Sequence, residues 1–183
     1  MNWQLSTIAA VTGGRLVGAD LSLTGVSTDT RAIETGQLFI ALRGERFDAH
    51  EFLAEAGAAG AAAFLVSDAE KLPPAASAVV VTDTRLALGA LAAAWRASFT
   101  LPVIAVTGSN GKTTTKEMVA AILKAAFGAA VLSTRGNLNN DIGLPLTLLG
   151  LRASHRAAVI EMGMNHPGEI AYLAPVSYTH LRA

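Results

Sequence analysis

The sequence predicts an α/β fold, in which a small N-terminal α/β unit precedes a phosphate-loop-type unit with a parallel sheet. Two observations lead to this prediction. Short apolar runs alternate with longer segments of helical periodicity along most of the 183 residues, a pattern typical of strand–helix–strand units. One apolar run, residues 103–106, leads into a glycine turn and then into Gly-Lys-Thr at the start of a helical segment, as in loops that bind phosphate.

Residues 1–99 are expected to form the first unit. Short apolar runs predict its strands, and segments with apolar residues at helical spacing predict its helices. In residues 84–98, for example, Leu88, Leu91 and Trp95 share one helical face. The predicted helices are 6–11, 50–59 and 84–98, and the predicted strands are 23–28, 37–42, 62–66 and 78–81.

Residues 100–183 are expected to form the second unit, which begins near Pro102. Because strands and helices alternate here, a parallel sheet is predicted. The stretch 175–183 fits poorly, since a helix that has only just begun meets Pro175, and we interpret it as a truncation or a foreign tail. The predicted strands are 103–106, 129–133 and 157–161, of which the first and the third are expected to be buried. The predicted helices are 113–127, one within 137–149, and one from Gly168 onwards.

The composition limits the classes of protein. Lys and Arg number 14, as do Asp and Glu, so the formal net charge is zero and no basic surface for nucleic acid is expected. The absence of cysteine excludes disulfides and thiolate metal sites. No apolar run approaches the ~18 residues of a membrane span, and no secretory signal is recognisable. We therefore expect a cytoplasmic, monomeric protein with no nucleic-acid partner.

The loop after residues 103–106 carries the strongest chemical signal. Its glycines would let backbone N–H groups face phosphate oxygens, and the following helix adds partial positive charge. Lys112 is predicted to reach the β- and γ-phosphates, and the Thr113 hydroxyl to ligate Mg²⁺. The common pattern has a glycine six residues before the lysine, but Val106 occupies that position and Gly108 lies four before it. The loop is therefore a shorter variant of the common phosphate loop. The alternative interpretation is an ordinary turn between a strand and a helix, followed by an exposed lysine. The predicted nucleotide-binding residues are Thr107, Gly108, Ser109, Asn110, Gly111, Lys112, Thr113 and Thr114.

Glu161 closes the predicted strand 157–161. In open α/β sheets, ligands lie at the carboxyl edge of the strands. A carboxylate there, near a bound triphosphate, could hold Mg²⁺ directly or through water. The alternative is a glutamate that caps a helix or is solvated.

An amide-rich segment, residues 136–141, follows the strand predicted at 129–133 and should share the same sheet edge. Asparagine offers both donors and acceptors, which suits a sugar or a peptide. The segment could also form an Asx turn that caps the next helix. Both interpretations can hold together.

Two polar clusters lie on loops of the first unit, at residues 28–31 and 44–50. Arginine side chains there can fork onto phosphate, and Phe47 could stack on a base. Solvated loops are the alternative. The histidines show no metal-ligand spacing, and we expect them at the surface or as supports of other groups. They are His50, His155, His166 and His180.

Four motifs resemble those of the Mur ligases, the ATP-dependent amide-forming enzymes of peptidoglycan synthesis. Residues 107–115 look like the ATP loop of that family, and residues 38–50 look like its N-terminal UDP-substrate domain. Residues 137–145 and 161–170 are similar to the branch that adds D-alanyl-D-alanine. The resemblance covers residues 1–174 and implies three domains: a whole first domain here, a partial second and no third. The chain as given is therefore expected to be an N-terminal fragment without ligase activity.

The resemblance also implies a reaction. ATP would phosphorylate the terminal carboxylate of a UDP-N-acetylmuramoyl-tripeptide, and the amine of D-alanyl-D-alanine would attack the acyl phosphate. Lys112 and Glu161 would be catalytic, because Lys112 and Mg²⁺ would offset charge on the γ-phosphate. Thr113 would hold one Mg²⁺ and Glu161 a second. The implied substrate contacts are Asn137, Asn139 and Asn140 for the muramoyl moiety, and Thr30, Glu45, Arg46 and Phe47 for the uridine end.

Two other functions stay open. The related ligase that adds the third peptide residue shares the ATP loop and the N-terminal fold, although residues 161–166 argue against it. A nucleotide-dependent switch or binding module with a generic phosphate loop would prefer GTP, or would hydrolyse nucleotide slowly without an acceptor. The short loop and the separate N-terminal unit argue against that alternative.

Overall fold

The computed structural model describes residues 3–44, 47–163, 173–174 and 176. The chain divides into two compact units, Met1–Leu88 and Gly89–Ala183. No helix in the described parts of the chain is long and apolar enough to cross a membrane.

The first unit contains a five-stranded sheet and a separate two-stranded ribbon. Its elements in chain order are β1 (Trp3–Gln4), α1 (Leu5–Thr12), β2 (Arg15–Val17), β3 (Ser22–Leu23), β4 (Val26–Ser27), β5 (Leu38–Ile40), α2 (Leu53–Ala58), β6 (Ala63–Val66), β7 (Ala78–Val80) and the start of α3 (Thr84–Ala97). The strand order of the sheet is β2-β7-β6-β5-β4. The strands β4 to β7 pair in parallel, whereas β2 pairs antiparallel with β7, and β1 pairs antiparallel with β3.

The middle of this sheet forms the core of the first unit. Every residue of β5 and β6 is buried, as expected of parallel strands that are covered on both faces. Leu53 and Ala56 of α2 pack with Phe39 and Phe64 of these strands. The sequence therefore predicted β5, β6, β7 and α2 close to their observed positions.

The edges of the sheet differ from the prediction. The strand expected at 23–28 is two short strands, β3 and β4, because Thr24 and Gly25 turn to bond Gly36 and Leu38. Neither β1 nor β2 was predicted, because strands of only two and three residues leave no recognisable pattern. Gly14 precedes β2, and a Cβ there would lie 2.5 Å from a methyl carbon of Val79, so the close approach of β2 to β7 needs glycine.

The second unit contains a parallel three-stranded sheet. Its elements after α3 are β8 (Val103–Val106), α4 (Lys112–Phe127), β9 (Val131–Ser133), α5 (Gly143–Leu149) and β10 (Ala157–Glu161). The strand order is β8-β10-β9, so β10 lies in the middle and all five of its residues are buried. In this register Glu161 lies opposite Val106, the last residue of β8.

Two strands of the second unit, β8 and β10, have the predicted bounds. The strand predicted at 129–133 begins only at Val131, because Gly128–Ala130 form a short 3-10 turn. The prediction of a buried strand at 103–106 is wrong at Ile104, which is 38% exposed. Within the described sheet, β8 is an edge strand that pairs with β10. The helix start predicted at Gly168 and the tail predicted at 175–183 lie outside the described residues, apart from Val176.

Candidate functional site

The loop between β8 and α4 is shaped to bind an anion. Gly108 and Gly111 have φ angles of +146° and +74°, in the left-handed region that favours glycine. Gly111 is the N-cap of α4, no side-chain hydrogen bond caps this helix, and its first turn holds no acidic residue. The first N–H groups of α4 therefore keep their hydrogen-bonding capacity for a ligand, at the positive end of the helix dipole.

Lys112 folds back over this loop. Its ammonium donates to the carbonyl oxygens of Gly108 at 2.7 Å and Ser109 at 3.5 Å. No carboxylate of the described residues forms an ion pair with it. The positive charge is thus held at the loop by neutral acceptors, which a phosphate oxygen can replace.

Glu161 forms the second part of the site. It ends β10, and only 2% of its surface is exposed. Its Oε1 accepts hydrogen bonds from the Thr113 hydroxyl at 3.2 Å and from the side-chain amide of Asn139 at 2.8 Å. Its Oε2 is buried and has no hydrogen-bond partner within the described part of the chain. A buried, unsatisfied carboxylate oxygen is costly, so this atom is a candidate ligand for a bound cation.

A divalent cation fits this arrangement. Mg²⁺ binds at about 2.1 Å to one or two protein oxygens, together with phosphate oxygens and water. Adjacent ligands of such an octahedral ion are about 3 Å apart, close to the 3.2 Å between Thr113 Oγ1 and Glu161 Oε1. The described residues include no cluster of three or more His, Cys, Asp or Glu side chains suited to a metal. Thr113 and Glu161 would therefore need phosphate and water to complete the coordination. Their separation suits ligands of one shared ion, whereas the family resemblance implied a separate ion for each residue.

The three asparagines predicted to contact substrate have different surroundings. Asn139 bonds Glu161, and its backbone carbonyl accepts the Gly163 N–H at 2.7 Å. Asn140 uses its side-chain oxygen to accept the Gly143 N–H at 2.8 Å, which caps the start of α5. Asn137 is exposed. The capping interpretation describes Asn140, while substrate contact by these residues stays a prediction.

A cavity of about 500 Å³ lies in the first unit and includes two of the predicted uridine contacts, Thr30 and Phe47. Thr30 donates its hydroxyl hydrogen to Glu55 Oε1 at 2.6 Å. The Phe47 ring stacks on Phe52 with a centroid distance of 5.5 Å and is 56% exposed. The other two predicted contacts, Glu45 and Arg46, lie outside the described residues. The cavity is lined by Thr28, Asp29, Thr30, Arg31, Phe39, Phe47, Phe52 and Glu55.

Arg31 does not face the cavity as a free cation. Its Nε and Nη2 donate to the two carboxylate oxygens of Asp29 at 2.9 and 2.7 Å. The hydrogen bonds from the Arg31 side chain and backbone lower the pKa of Asp29 to about 2. An anionic ligand would have to compete with Asp29 for this guanidinium.

The two described histidines differ in their surroundings. His50 is buried and supports other groups, the second of the two expectations, because its ring bonds Asp48 through Nδ1 while Nε2 accepts the Ser67 N–H at 2.9 Å. His155 accepts the Arg152 N–H at 3.0 Å through Nδ1, and burial lowers the pKa of His155. His166 and His180 lie outside the described residues.

Sequence reasoning missed several residues that build these sites. Phe52 and Glu55 were expected only as helix positions, although a second aromatic residue five positions after Phe47 is a signal for a paired aromatic surface. Thr134 was not singled out, yet its hydroxyl accepts the Glu161 N–H at 2.9 Å. Its position directly after β9, at the same edge as Glu161, is the signal that could have identified it.

A glycine loop between a strand and an uncapped helix, with a buried carboxylate at the end of the adjacent strand, defines a phosphate-loop protein of the α/β class. Comparison with models of known protein families supports this classification. The Mur ligase middle domain matches residues 106–180, and the model described as the Mur ligase family, catalytic domain, matches residues 22–96. The chain belongs to the Mur ligase family.

Individual relatives give a more detailed comparison. The UDP-N-acetylmuramoyl-tripeptide–D-alanyl-D-alanine ligase of Escherichia coli K12 is 52% identical over 168 residues, covering 92% of this chain and 36% of that protein. A crystal structure of MurF from Acinetobacter baumannii matches with a TM-score of 0.88 and 44% identity, over 97% of this chain and 39% of that chain. MurF ligase from Thermotoga maritima, in complex with ADP, matches with a TM-score of 0.74 and 33% identity, over 84% of this chain and 35% of that one. The chain thus spans well under half the length of these relatives.

Proposed function

We propose that this chain forms the nucleotide-binding and UDP-substrate-binding parts of a ligase that joins D-alanyl-D-alanine to a UDP-N-acetylmuramoyl-tripeptide, using ATP. The observation that carries the proposal is the buried Oε2 of Glu161, which has no hydrogen-bond partner among the described residues and lies beside Thr113 at the start of an uncapped helix. The similarity to a ligase of that name, and to a relative crystallised with ADP, supports it. The proposal includes a cytoplasmic location, where ATP is available.

The nucleotide end of the reaction depends on the loop and on Lys112. The N–H groups at the start of α4 would donate to the phosphate oxygens of ATP. Lys112 would exchange its loop carbonyls for the β- and γ-phosphates and would offset the charge that spreads over the γ-phosphoryl oxygens during transfer. Thr113 and Glu161 would hold Mg²⁺, which supplies further charge neutralisation when bound.

The reaction itself needs activation, because a carboxylate is a poor electrophile at neutral pH. Transfer of the γ-phosphoryl group to the terminal carboxylate of the peptide forms an acyl phosphate and releases ADP. The amine of D-alanyl-D-alanine then attacks the acyl carbon, the C–O bond to phosphate breaks, and the nitrogen loses a proton. The products are the amide, ADP and inorganic phosphate.

The cavity of the first unit would bind the uridine end of the substrate. The exposed ring of Phe47 and its neighbour Phe52 offer an aromatic surface on which uracil can stack. The Thr30 hydroxyl offers a polar contact at the same cavity. Its volume of about 500 Å³ is within the range of small-molecule sites.

A calorimetric titration tests the substrate half of the proposal. We expect the chain to bind the UDP-muramoyl-tripeptide saturably, and to lose this binding when the uridine is removed from the ligand. Binding that does not depend on the uridine would contradict the role of the cavity. An excess of free uridine should compete, which provides the control for specificity.

Nucleotide competition and a product assay test the rest. We expect ATP and ADP to bind in preference to GTP, and a preference for GTP would favour a nucleotide switch instead. The protein at the full length of its relatives should couple D-alanyl-D-alanine to the tripeptide substrate. Coupling of a diamino acid to the shorter UDP-linked dipeptide instead would identify the ligase that adds the third residue.

A further inference from the structure

Lys116 is a buried lysine that the proposed reaction does not use. It lies on α4 one turn after Lys112, and only 1% of its surface is exposed. Its ammonium donates to the backbone carbonyl of Thr134 at 3.0 Å and forms an ion pair with the carboxylate of Glu117, which is 61% exposed. A buried ammonium loses most of its hydration, so its presence behind the phosphate loop calls for a physical reason.

Thr134 connects this lysine to the candidate metal site. While its carbonyl accepts from Lys116, its hydroxyl accepts the Glu161 N–H at 2.9 Å, and its own N–H donates to Val159 O at 3.0 Å. The residue is 1% exposed. Thr134 is therefore fixed by three hydrogen bonds, and two of them lead directly to Lys116 and Glu161.

Both candidate metal ligands are held relative to Thr134. Glu161 is attached to it through the backbone N–H. Thr113 lies three positions before Lys116, on the same side of α4, so the anchoring of Lys116 fixes the rotation and height of the turn that carries Thr113. Thr113 Oγ1 and Glu161 Oε1, which are 3.2 Å apart, thus belong to residues that are both connected to Thr134.

We propose that Lys116 is a positioning residue that, through the carbonyl of Thr134, holds Thr113 and Glu161 at the separation required by one bound Mg²⁺ ion. The inference rests on the proposed function, since it assumes that a nucleotide and its cation bind at this loop. It assigns Lys116 no contact with the phosphates or with the cation.

A comparison of nucleotide affinity with and without the cation separates this role from a simple effect of charge. ATP affinity is measured by calorimetry in excess Mg²⁺ and in EDTA, and the ratio of the two dissociation constants gives the gain due to Mg²⁺. For Lys116→Met we expect the affinity in EDTA to stay within about twofold of the wild type. The gain from Mg²⁺ should fall about 10-fold, as when the supports of metal ligands are removed.

Two further variants make the test specific. Thr134→Val removes the hydroxyl that accepts the Glu161 N–H and keeps the carbonyl that Lys116 uses, so it should lower the gain from Mg²⁺ to a similar extent. Lys124→Met removes an exposed lysine from the same helix and should change neither affinity. If Lys116→Met does not fold, Thr134→Val still tests whether the anchor at Thr134 sets the gain from Mg²⁺, and an unchanged gain in that variant would overturn the inference.

The outcomes distinguish this inference from the proposed function. If wild-type ATP affinity gains nothing from Mg²⁺, the proposed nucleotide and metal site is wrong. If the wild type shows the gain, Glu161→Gln loses it, and both Lys116→Met and Thr134→Val keep it, the site is right and the positioning role is wrong. An equal loss of affinity with Mg²⁺ and in EDTA for Lys116→Met would show an effect of charge alone and would also overturn the inference.

Discussion

Asn139 donates its side-chain amide hydrogen to Glu161 Oε1 at 2.8 Å, although 22 positions separate the two residues in the sequence. The contact forms because Asn139 follows β9 and Glu161 ends β10, and these parallel strands are neighbours. The bond occupies Oε1 and orients the carboxylate, so that Oε2 is the oxygen with no hydrogen-bond partner in the part of the chain that the structure describes.

Replacing Asn139 should weaken the candidate metal site without removing it. Asn139→Leu keeps a side chain that branches at Cγ but has no hydrogen-bond donor, so the carboxylate of Glu161 loses one of its two side-chain partners. We expect the Mg²⁺-dependent gain in ATP affinity to fall about 10-fold, while ATP affinity in EDTA is unchanged. Calorimetry measures both values. A variant that retains the full gain would show that the Thr113 hydroxyl alone orients the carboxylate.

Glu161→Gln should abolish the effect of Mg²⁺ on ATP binding without lowering the stability of the protein. The amide oxygen can still accept from Thr113 and Asn139, but the buried negative charge is gone. We expect the Mg²⁺-dependent gain in ATP affinity to disappear, while the free energy of unfolding without ligand stays equal or rises by roughly 1 kcal/mol, as is common when a functional site is relieved of strain. Urea denaturation measures the stability. A large loss of stability would mean that the carboxylate has a structural partner.

The sequence predicted the elements of the second unit well and its long-range contacts poorly. β8 and β10 have the predicted bounds, because apolar runs and a glycine turn are local signals. The pairing of Asn139 with Glu161 depends on the strand order β8-β10-β9, which local patterns do not specify. In the first unit, β2 has only three residues, and it is stabilised by pairing with β7 rather than by its own pattern. The sequence left open whether His50 lies at the surface or supports other groups, because its burial depends on Asp48 and on the N–H group of Ser67, 17 positions away.

Lys112→Ala should remove most of the nucleotide affinity and little stability. The ammonium contacts only carbonyl oxygens of its own loop within the described residues, whereas on a phosphate it would form hydrogen bonds between charged groups worth about 1.5–3 kcal/mol. We expect ATP to bind about 10- to 100-fold more weakly and the unfolding midpoint to change little. Lys124→Ala, on the same helix, is the matched control. Unchanged ATP affinity in Lys112→Ala would mean that the loop binds no nucleotide.

Phe47→Ala should weaken the binding of UDP to the first unit. The ring is 56% exposed, so its removal should affect stability little, while the loss of a stacking surface for a base costs about 1–3 kcal/mol. Titration with UDP should therefore show affinity lowered about 10-fold or more. Leu86→Ala removes another exposed apolar side chain, 57% exposed, outside the cavity lining and serves as the control. Equal UDP affinity in both variants would place the base elsewhere.

Asp48 should contribute to the acid sensitivity of the first unit. Burial raises its pKa, but hydrogen bonds from the His50 backbone and from the side chains of Arg43, His50 and Lys71 outweigh burial, and the pKa lies below its ordinary value. A carboxyl with a lower pKa in the folded state stabilises the fold above the unfolded-state pKa of about 3.9. That stabilisation is lost as the pH falls toward the folded-state pKa.

Asp48→Asn tests this contribution. We expect the variant to be less stable than the wild type at pH 7, by about 1–3 kcal/mol because charged hydrogen bonds are lost, with the difference shrinking as the pH falls below about 4. Some acid sensitivity should remain, because the pKa of Asp29 is also lowered, to about 2, by Arg31. Asp68→Asn is the control, since Asp68 accepts only the Glu70 N–H among the described residues and asparagine can replace it there. Urea denaturation across this pH range measures the difference, and a difference that is independent of pH would show that Asp48 acts through packing and not through its charge.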